Sequence, residues 1–227
     1  METPAPAVPR ALFVYSLLYG GLAILAGVLG TKLASLGHWP LLGDLAVESG
    51  IFAFLLLVVL SSAVAELYGR DTANRLVRYG FIPLIVSMLL LNVVIHLVPP
   101  APFWSDQDAF ARLLGQGARM QFAGLISYGI SQTLNVAVFA RLARTAGEGR
   151  LLWFRAWVAS LLSQIVDTIL FISISFYGVV DAATGKALPI GSIMEGQIVS
   201  KLVLSTIMVP PLIYVFVALG KRLDVKP

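Results

Sequence analysis

Six long apolar runs dominate this sequence and restrict the folds that the chain can adopt. Each run has at least the about 20 residues that a helix needs to cross the roughly 30 Å hydrocarbon core of a bilayer. Only 12% of the residues are charged, against about 25% in an ordinary soluble domain. We therefore predict a single all-α domain over residues 1–227, a polytopic membrane protein built as a bundle of six transmembrane helices. The predicted spans are Ala11–Leu36, Val47–Glu66, Val77–Val98, Met120–Leu142, Leu151–Gly178 and Ile193–Leu219.

The Lys and Arg residues between these runs predict the orientation of the bundle. Cytoplasmic loops of membrane proteins carry an excess of Lys and Arg. If the N-terminus is placed in the cytoplasm, eleven cations fall on the inner side and three on the outer side. We therefore predict that both termini are cytoplasmic. The inner cations are Arg10, Arg70, Arg75, Arg78, Arg141, Arg144, Arg150, Arg155, Lys221, Arg222 and Lys226, and the outer ones are Arg112, Arg119 and Lys186.

Several classes of function are disfavoured by what the sequence lacks. There is no Cys, which excludes disulfides, thiolate metal sites and cysteine nucleophiles. The two histidines, His38 and His96, lie far apart and form no ligand cluster. Neither a Walker A loop nor a Gly-x-Ser-x-Gly elbow occurs. We expect a protein that is not an enzyme, with no catalytic residue, no cofactor, no bound metal and no nucleic-acid partner.

The fifth apolar run carries a polar stripe around an acidic residue near its middle. Ser160, Gln164, Asp167 and Phe171 are spaced four, three and four residues apart, which places them on one face of a helix. A charge at bilayer depth costs roughly 2.5–3.5 kcal/mol on insertion scales, and such residues usually face protein or a water-filled cavity. We predict that Asp167 and Gln164 bind a substrate. The alternative is a neutral Asp hydrogen-bonded to a neighbouring helix.

The fourth apolar run repeats this spacing with Tyr128, Gln132, Asn135 and Phe139. A short connection joins the fourth and fifth runs, so their helices are predicted to be antiparallel neighbours. Two such stripes on neighbouring helices can line one pocket, and we predict a substrate-binding role for all four residues. The alternative for the two amides is hydrogen bonding between helices, which contributes about 0.6 kcal/mol per bond.

A lysine lies deep in the sixth apolar run. Gln197, Lys201 and Ser205 form a stripe with a spacing of four residues, so we predict that Lys201 faces the same pocket. A buried Lys and a buried Asp offset each other's desolvation. Lys201 and Asp167 are therefore expected to act together.

Three charged residues are predicted to have gating or structural roles. Glu66 closes the second run, one turn before Arg70 with which it can pair, and Arg75 follows in the same segment. Their position predicts a role at the cytoplasmic mouth rather than contact with substrate. Lys32 lies late in the first run, where its aliphatic stem allows the ammonium group to reach the interface.

Five short segments along the chain carry a recognisable pattern: Ala65–Gly69, which contains a Glu-x-Tyr-Gly block, Ala73–Arg75, Ser131–Phe139, Ser160–Phe171, and Lys201 with Pro211. Together they resemble the queuosine precursor transporter family, also called the vitamin uptake transporter family. By motif position, five residues match the polar span residues of the family, namely Gln132, Asn135, Gln164, Asp167 and Lys201. One position departs from the family pattern: many members carry an Asp about four residues before the Glu of the Glu-x-Tyr-Gly block, and here that position is Ser62.

The resemblance implies a multi-pass importer in a bacterial inner membrane. Its expected substrates are 7-cyano-7-deazaguanine and 7-aminomethyl-7-deazaguanine, which bacteria salvage to make queuosine in tRNA. Such a base presents adjacent N–H donors that a carboxylate accepts, and a carbonyl to which an amide or Lys donates. Its faces stack on aromatic rings, which Tyr128, Phe139 and Phe171 can supply. The alternatives are a transporter of another small polar heterocycle or vitamin, and a non-transporting membrane scaffold; a homo-oligomer is left open.

Overall fold

The chain forms a helical bundle with a small β-hairpin at one end. A computed structural model describes residues 8–40, 43–115, 118–146, 151–178, 185 and 190–225. Every helix except the short α4 is long and apolar enough to cross a membrane, which confirms a multi-pass membrane protein with six spans. The elements are α1 (Arg10–Leu29), β1 (Leu33–Trp39), β2 (Gly43–Glu48), α2 (Gly50–Tyr68), α3 (Arg70–Leu97), α4 (Gln107–Leu114), α5 (Ala118–Ala146), α6 (Leu152–Phe176) and α7 (Ile190–Asp224).

The predicted first span is wrong at its C-terminal end, where the otherwise helical bundle contains two short strands. The sequence predicts a helix to Leu36, whereas α1 ends at Leu29 and β1 pairs antiparallel with β2. The 20 residues of α1 already extend about 30 Å, so the remaining apolar residues are not needed to span a bilayer. Gly37 has a φ of 79°, next to a register shift in the hairpin. Hydropathy alone cannot distinguish such a short apolar strand from helix.

Most helices extend beyond the predicted apolar runs. The third begins at Arg70 instead of Val77, and the last ends at Asp224 instead of Leu219. Hydropathy detects only the apolar part of a helix, so the polar turns at the membrane surface are missed.

The second helix, α2, forms the centre of the bundle. It is the most buried of the six spans, and its side chains from Leu55 to Val64 are almost all inaccessible. A helix that is apolar all round is suited to such a central position. The outer helices expose apolar side chains such as Leu89 and Leu90 of α3, as a lipid-facing surface requires. Helix α2 therefore provides the wall against which the other helices set their polar faces.

The two ends of the bundle differ in composition. At one end Asp224 accepts a hydrogen bond from the backbone nitrogen of Ala11 at 2.9 Å and another from the Tyr68 hydroxyl. We call this end the Asp224 face; α1 begins here and α7 ends here. The opposite end, the hairpin face, carries the β-hairpin and α4. There Arg119 donates to the carbonyl oxygens of Ile174 and Tyr177, both at 2.6 Å, and so ties α5 to the end of α6.

Candidate functional site

A pocket of about 180 Å³ lies in the half of the bundle next to the hairpin face. It is enclosed by the ends of α1 and α3, the beginnings of α2 and α5, and side chains from α6 and α7. Drug-sized ligands occupy pockets of roughly 300–1,000 Å³, so this pocket suits a single small ring system. Four of the predicted binding residues line it, namely Tyr128, Asp167, Phe171 and Lys201.

An ion pair between α6 and α7 forms the charged part of the pocket. The ammonium group of Lys201 lies 3.5 Å from Oδ2 of Asp167, and the two side chains are only 8% and 11% exposed. The hydroxyl of Ser131 donates to Oδ1 of the same carboxylate at 3.4 Å. Both contacts are long for hydrogen bonds between such groups. The Asp167 carboxylate is thus held in place while still able to accept shorter bonds from a ligand.

A second carboxylate, Glu48, lines the same pocket. It is the last residue of β2, directly before α2 begins. Burial raises the pKa of the Glu48 carboxyl above its ordinary value; the positive charge of Lys201 opposes this, and the negative charge of Asp167 adds to it. Glu48 therefore lies close enough to Lys201 and Asp167 to feel the charge of both. Sequence reasoning missed Glu48 as a pocket residue, because its place at the beginning of an apolar run indicates only a membrane boundary.

Aromatic side chains are among the residues that line the pocket, and Tyr128 is one of them. The ring of Phe81 packs edge-on against Tyr128, with centroids 5.1 Å apart. Gly80 makes room for this arrangement, because a Cβ atom there would lie 2.6 Å from the Tyr19 ring and 3.1 Å from the Tyr128 hydroxyl. Phe171 and Phe54 also line the pocket. The site thus offers flat apolar surfaces beside its charged groups.

A second group of polar side chains, on α3 and α5, was also missed. Gln121, Ser87 and Ser127 line the pocket. Asn92 donates to the carbonyl oxygen of Met88 at 2.8 Å and to Oε1 of Gln121 at 3.2 Å, which leaves the Gln121 amide nitrogen as a donor. The signal was present in the sequence, since Ser87 and Asn92 interrupt the third apolar run.

The two predicted amides of α5 do not line this pocket; they turn towards α2. Nδ2 of Asn135 lies within 3.0–3.1 Å of the Ser61 and Ser62 hydroxyls and the carbonyl oxygen of Val58. Oε1 of Gln132 accepts from the hydroxyls of Tyr19 at 3.3 Å and Ser61 at 3.4 Å. These contacts are of the interhelical kind. The position of Ser62, where the family pattern has Asp, is thus a contact of Asn135.

Gln164 of α6 is 1% exposed and does not line the pocket either. Neither its amide oxygen nor its amide nitrogen has a hydrogen-bond partner among the described residues. Gln164 lies one turn from Asp167, on the side away from the hairpin face. Gln164 could therefore contact substrate only if the pocket extended by one helical turn from Asp167 towards the Asp224 face.

Near the Asp224 face, Arg155, Glu66 and Phe139 form a cluster joining three helices. Arg155 donates to Oε2 of Glu66 at 2.7 Å, and its guanidinium carbon lies 4.3 Å from the centroid of the Phe139 ring. Arg155 is 1% exposed, so its assignment as a loop cation is wrong. It is an arginine buried between helices. Phe139 accordingly packs at this end of the bundle, away from the pocket.

The other predicted gating or structural residues lie at the surface. Arg75 is exposed near the beginning of α3. Lys32 is exposed in the turn after α1, where its backbone oxygen accepts from the nitrogen of Ser49 at 2.7 Å. It lies beyond the helix, because α1 ends before reaching it. The predicted loop cations Arg150, Lys186 and Lys226 lie outside the described residues.

The donor groups of the pocket do not make an evident metal centre. Within the described part of the chain, no group of three His, Asp or Glu side chains is close enough to hold a metal ion. The pocket combines one lysine, two carboxylates, an amide and aromatic rings. This set can form hydrogen bonds to the edge of a planar heterocycle and stack on its faces.

Comparison with known proteins identifies the family of the chain. A family model described as "Putative vitamin uptake transporter" matches residues 48–215. The chain belongs to the vitamin uptake transporter family. The family's description is that of a transporter and not of an enzyme. The matched region includes Glu48, Glu66, Asp167 and Lys201, whereas Lys32 lies outside it.

Two curated relatives carry a more specific name. The chain is 32% identical over 117 residues to the "Probable queuosine precursor transporter" of Bacillus subtilis strain 168. It is 27% identical over 133 residues to the "Queuosine precursor transporter" of Escherichia coli strain K12. The alignments cover 52% and 59% of this chain, and 51% and 57% of the relatives, so the chain spans about half the length of the curated relatives it matches. No solved structure gave a significant match.

Proposed function

We propose that this transporter imports queuosine precursors, 7-cyano-7-deazaguanine or 7-aminomethyl-7-deazaguanine, across a bacterial inner membrane. The observation that carries the proposal is the small pocket in which Asp167 and Lys201 lie beside aromatic rings. The names of the two relatives support the substrate class. The hairpin face is outward in this proposal, so the pocket receives its substrate from outside the cell.

The chemistry of the pocket matches the edges of a 7-deazaguanine base. The Asp167 carboxylate accepts the ring N–H and the exocyclic amine, and Lys201 donates to the neighbouring carbonyl. The rings of Tyr128 and Phe171 provide surfaces for the base to stack on. The ammonium group of Lys201 and the carboxylate of Asp167 are 3.5 Å apart. Because this contact is long, each group can weaken it and form a hydrogen bond to the ligand instead.

The test measures queuosine in tRNA. The chain is expressed in a bacterium that cannot make queuosine and has lost its own importer, and either precursor is supplied outside the cells. Expression should restore queuosine to tRNA, and unlabelled precursor should compete with uptake of labelled precursor. Lys201→Met, which keeps the aliphatic stem and deletes the charge, should abolish the effect at normal membrane abundance.

The rival functions give different results in the same assay. A transporter of another heterocycle or vitamin would leave tRNA without queuosine and would show uptake that the competing compound inhibits. A non-transporting scaffold would show no uptake, and polar substitutions in the pocket would have no effect. Either result would overturn the proposed substrate class.

A further inference from the structure

Below the pocket, towards the Asp224 face, the bundle contains buried polar side chains with unsatisfied atoms. They are Gln132 of α5, Ser160 and Gln164 of α6, and Ser205 of α7, all at most 1% exposed. Nε2 of Gln132, both amide atoms of Gln164, and the hydroxyls of Ser160 and Ser205 have no partner among the described residues. Buried polar groups are nearly always hydrogen-bonded in folded proteins, so several orphans in one region require an explanation.

These side chains follow the pocket residues at intervals of one helical turn. Gln164 lies three residues from Asp167, Ser205 lies four from Lys201, and Gln132 lies four from Tyr128. Residues three or four apart share a face of a helix. Each orphaned side chain thus lies one turn nearer the Asp224 face than a pocket-lining residue of its own helix. Ser160 continues the series by one more turn on α6.

Interhelical hydrogen bonding accounts for Oε1 of Gln132 but not for the unsatisfied atoms of this set. Asn135 shows what such bonding looks like here, because its amide nitrogen contacts three oxygen atoms of α2. Gln164, by contrast, has no contact of this kind at either amide atom. A polar side chain that holds helices together makes at least one such bond in the structure that it stabilises.

The series ends at the cluster of Arg155, Glu66 and Phe139. Arg155 is joined to Glu66 of α2 and lies over the Phe139 ring of α5, so the cluster links three helices. Its Nε and Nη1 atoms have no partner among the described residues. A buried guanidinium with unsatisfied donors is poised to donate hydrogen bonds to polar groups that enter if the helices separate.

We infer that these side chains line the second half of the cargo path, closed in this structure, and that the Arg155–Glu66 pair is its gate towards the Asp224 face. The inference rests on the proposed function for the identity of the cargo, a polar heterocycle that forms hydrogen bonds. In the closed state the polar groups along the path have no partners among the described residues. When the gate opens, water and cargo satisfy them, and Gln164 reaches the ligand.

Thiol labelling tests the path directly, because the chain contains no Cys. Ser160→Cys places a thiol in the proposed path. Its matched control is Ala159→Cys, on the same helix and also fully buried, but within the apolar core. Each is combined with Glu66→Gln, which keeps the shape of the side chain and removes the charge that pairs with Arg155. Purified protein in lipid nanodiscs is then treated with a hydrophilic maleimide.

Loss of one partner of a buried ion pair is strongly unfavourable, so Glu66→Gln should open the gate. We expect labelling of Ser160→Cys to accelerate by about tenfold or more. Such a factor corresponds to a modest loss of the free energy that favours the closed state over the open state. Labelling of Ala159→Cys should not change. An unchanged rate for Ser160→Cys, or an equal increase for both thiols, would overturn the inference.

A second gate variant covers the case in which Glu66→Gln fails to fold. Phe139→Leu removes the ring beneath Arg155 and leaves both charges in place. It should also raise the labelling of Ser160→Cys relative to Ala159→Cys, and the absence of a selective rise would count against the gate. The assay contains no cargo, so its result is independent of uptake. Failure of the gate and failure of the proposed substrate are therefore distinguishable.

Discussion

At the scale of single residues, Asp167 is the side chain whose chemistry can be tested most sharply. It lies in the pocket, with Lys201 at 3.5 Å and Ser131 at 3.4 Å. Asp167→Asn keeps the volume and turns one acceptor oxygen into a donor, which opposes the donors of the ligand. A mispaired buried polar group costs roughly 1–3 kcal/mol, which corresponds to about ten- to a hundredfold in affinity. We expect the variant to insert normally and to lose binding by that factor.

A thermodynamic cycle of two proteins and two ligands tests whether Asp167 accepts a hydrogen bond from the exocyclic amine. Binding of 7-cyano-7-deazaguanine and of the analogue without the amine is measured for the normal protein and for Asp167→Asn. The amine should strengthen binding to the normal protein more than to the variant. Ser131→Ala is the matched control, because it removes a contact to the carboxylate and leaves its charge. If the amine increases the affinity equally in both proteins, Asp167 does not form a hydrogen bond with it.

At the scale of helices, the packing of α3 against α1 and α5 depends on Gly80. A Cβ atom there would lie 2.6 Å from the ring of Tyr19 and 3.1 Å from the hydroxyl of Tyr128. Overpacking of this kind costs typically about 1–3 kcal/mol. Gly80→Ala should therefore lower the thermal unfolding midpoint and weaken ligand binding through displacement of Tyr128.

The control for this prediction is another helical glycine. A Cβ atom at Gly21 of α1 would meet nothing within 4 Å, so Gly21→Ala should be neutral or slightly stabilising. Unfolding in detergent, followed by intrinsic fluorescence, compares the two variants. Equal midpoints for Gly80→Ala and Gly21→Ala would show that α3 shifts without cost to admit the extra methyl group.

At the scale of the whole molecule, the arrangement of charge predicts the orientation in the membrane. The Asp224 face carries most of the exposed cations, including Arg70, Arg78 and Arg144, whereas Lys32 and Arg119 lie at the hairpin face. Positive loops remain in the cytoplasm, so the Asp224 face should be inside. A reporter fused after Pro227 should be active in the cytoplasm, and one inserted at Gly185 should be active outside. Reporters that read the same side would contradict the six-span orientation.

Local pattern was sufficient to predict the spans and part of the pocket. Hydropathy revealed six helices because each must present an apolar surface to lipid over a fixed thickness. Helical periodicity placed Asp167 and Lys201 on faces that turn towards one pocket, and the structure brings them together as an ion pair. These features were predictable because they depend on residues close together in the sequence.

Tertiary packing decided the rest, because the rotation of a helix about its axis depends on its neighbours. Asn135 and Tyr128 share one stripe on α5, yet Asn135 meets the serines of α2 while Tyr128 lines the pocket. Glu48 enters the pocket at the end of β2, which pairs with β1 in a hairpin that hydropathy could not distinguish from helix. By sequence alone Arg155 was assigned to a loop. In the fold it is buried by contacts with Glu66 and Phe139, which are distant from it in the sequence. Contacts between helices that are far apart in sequence leave no local pattern, so only the assembled bundle shows which polar residues face cargo and which face each other.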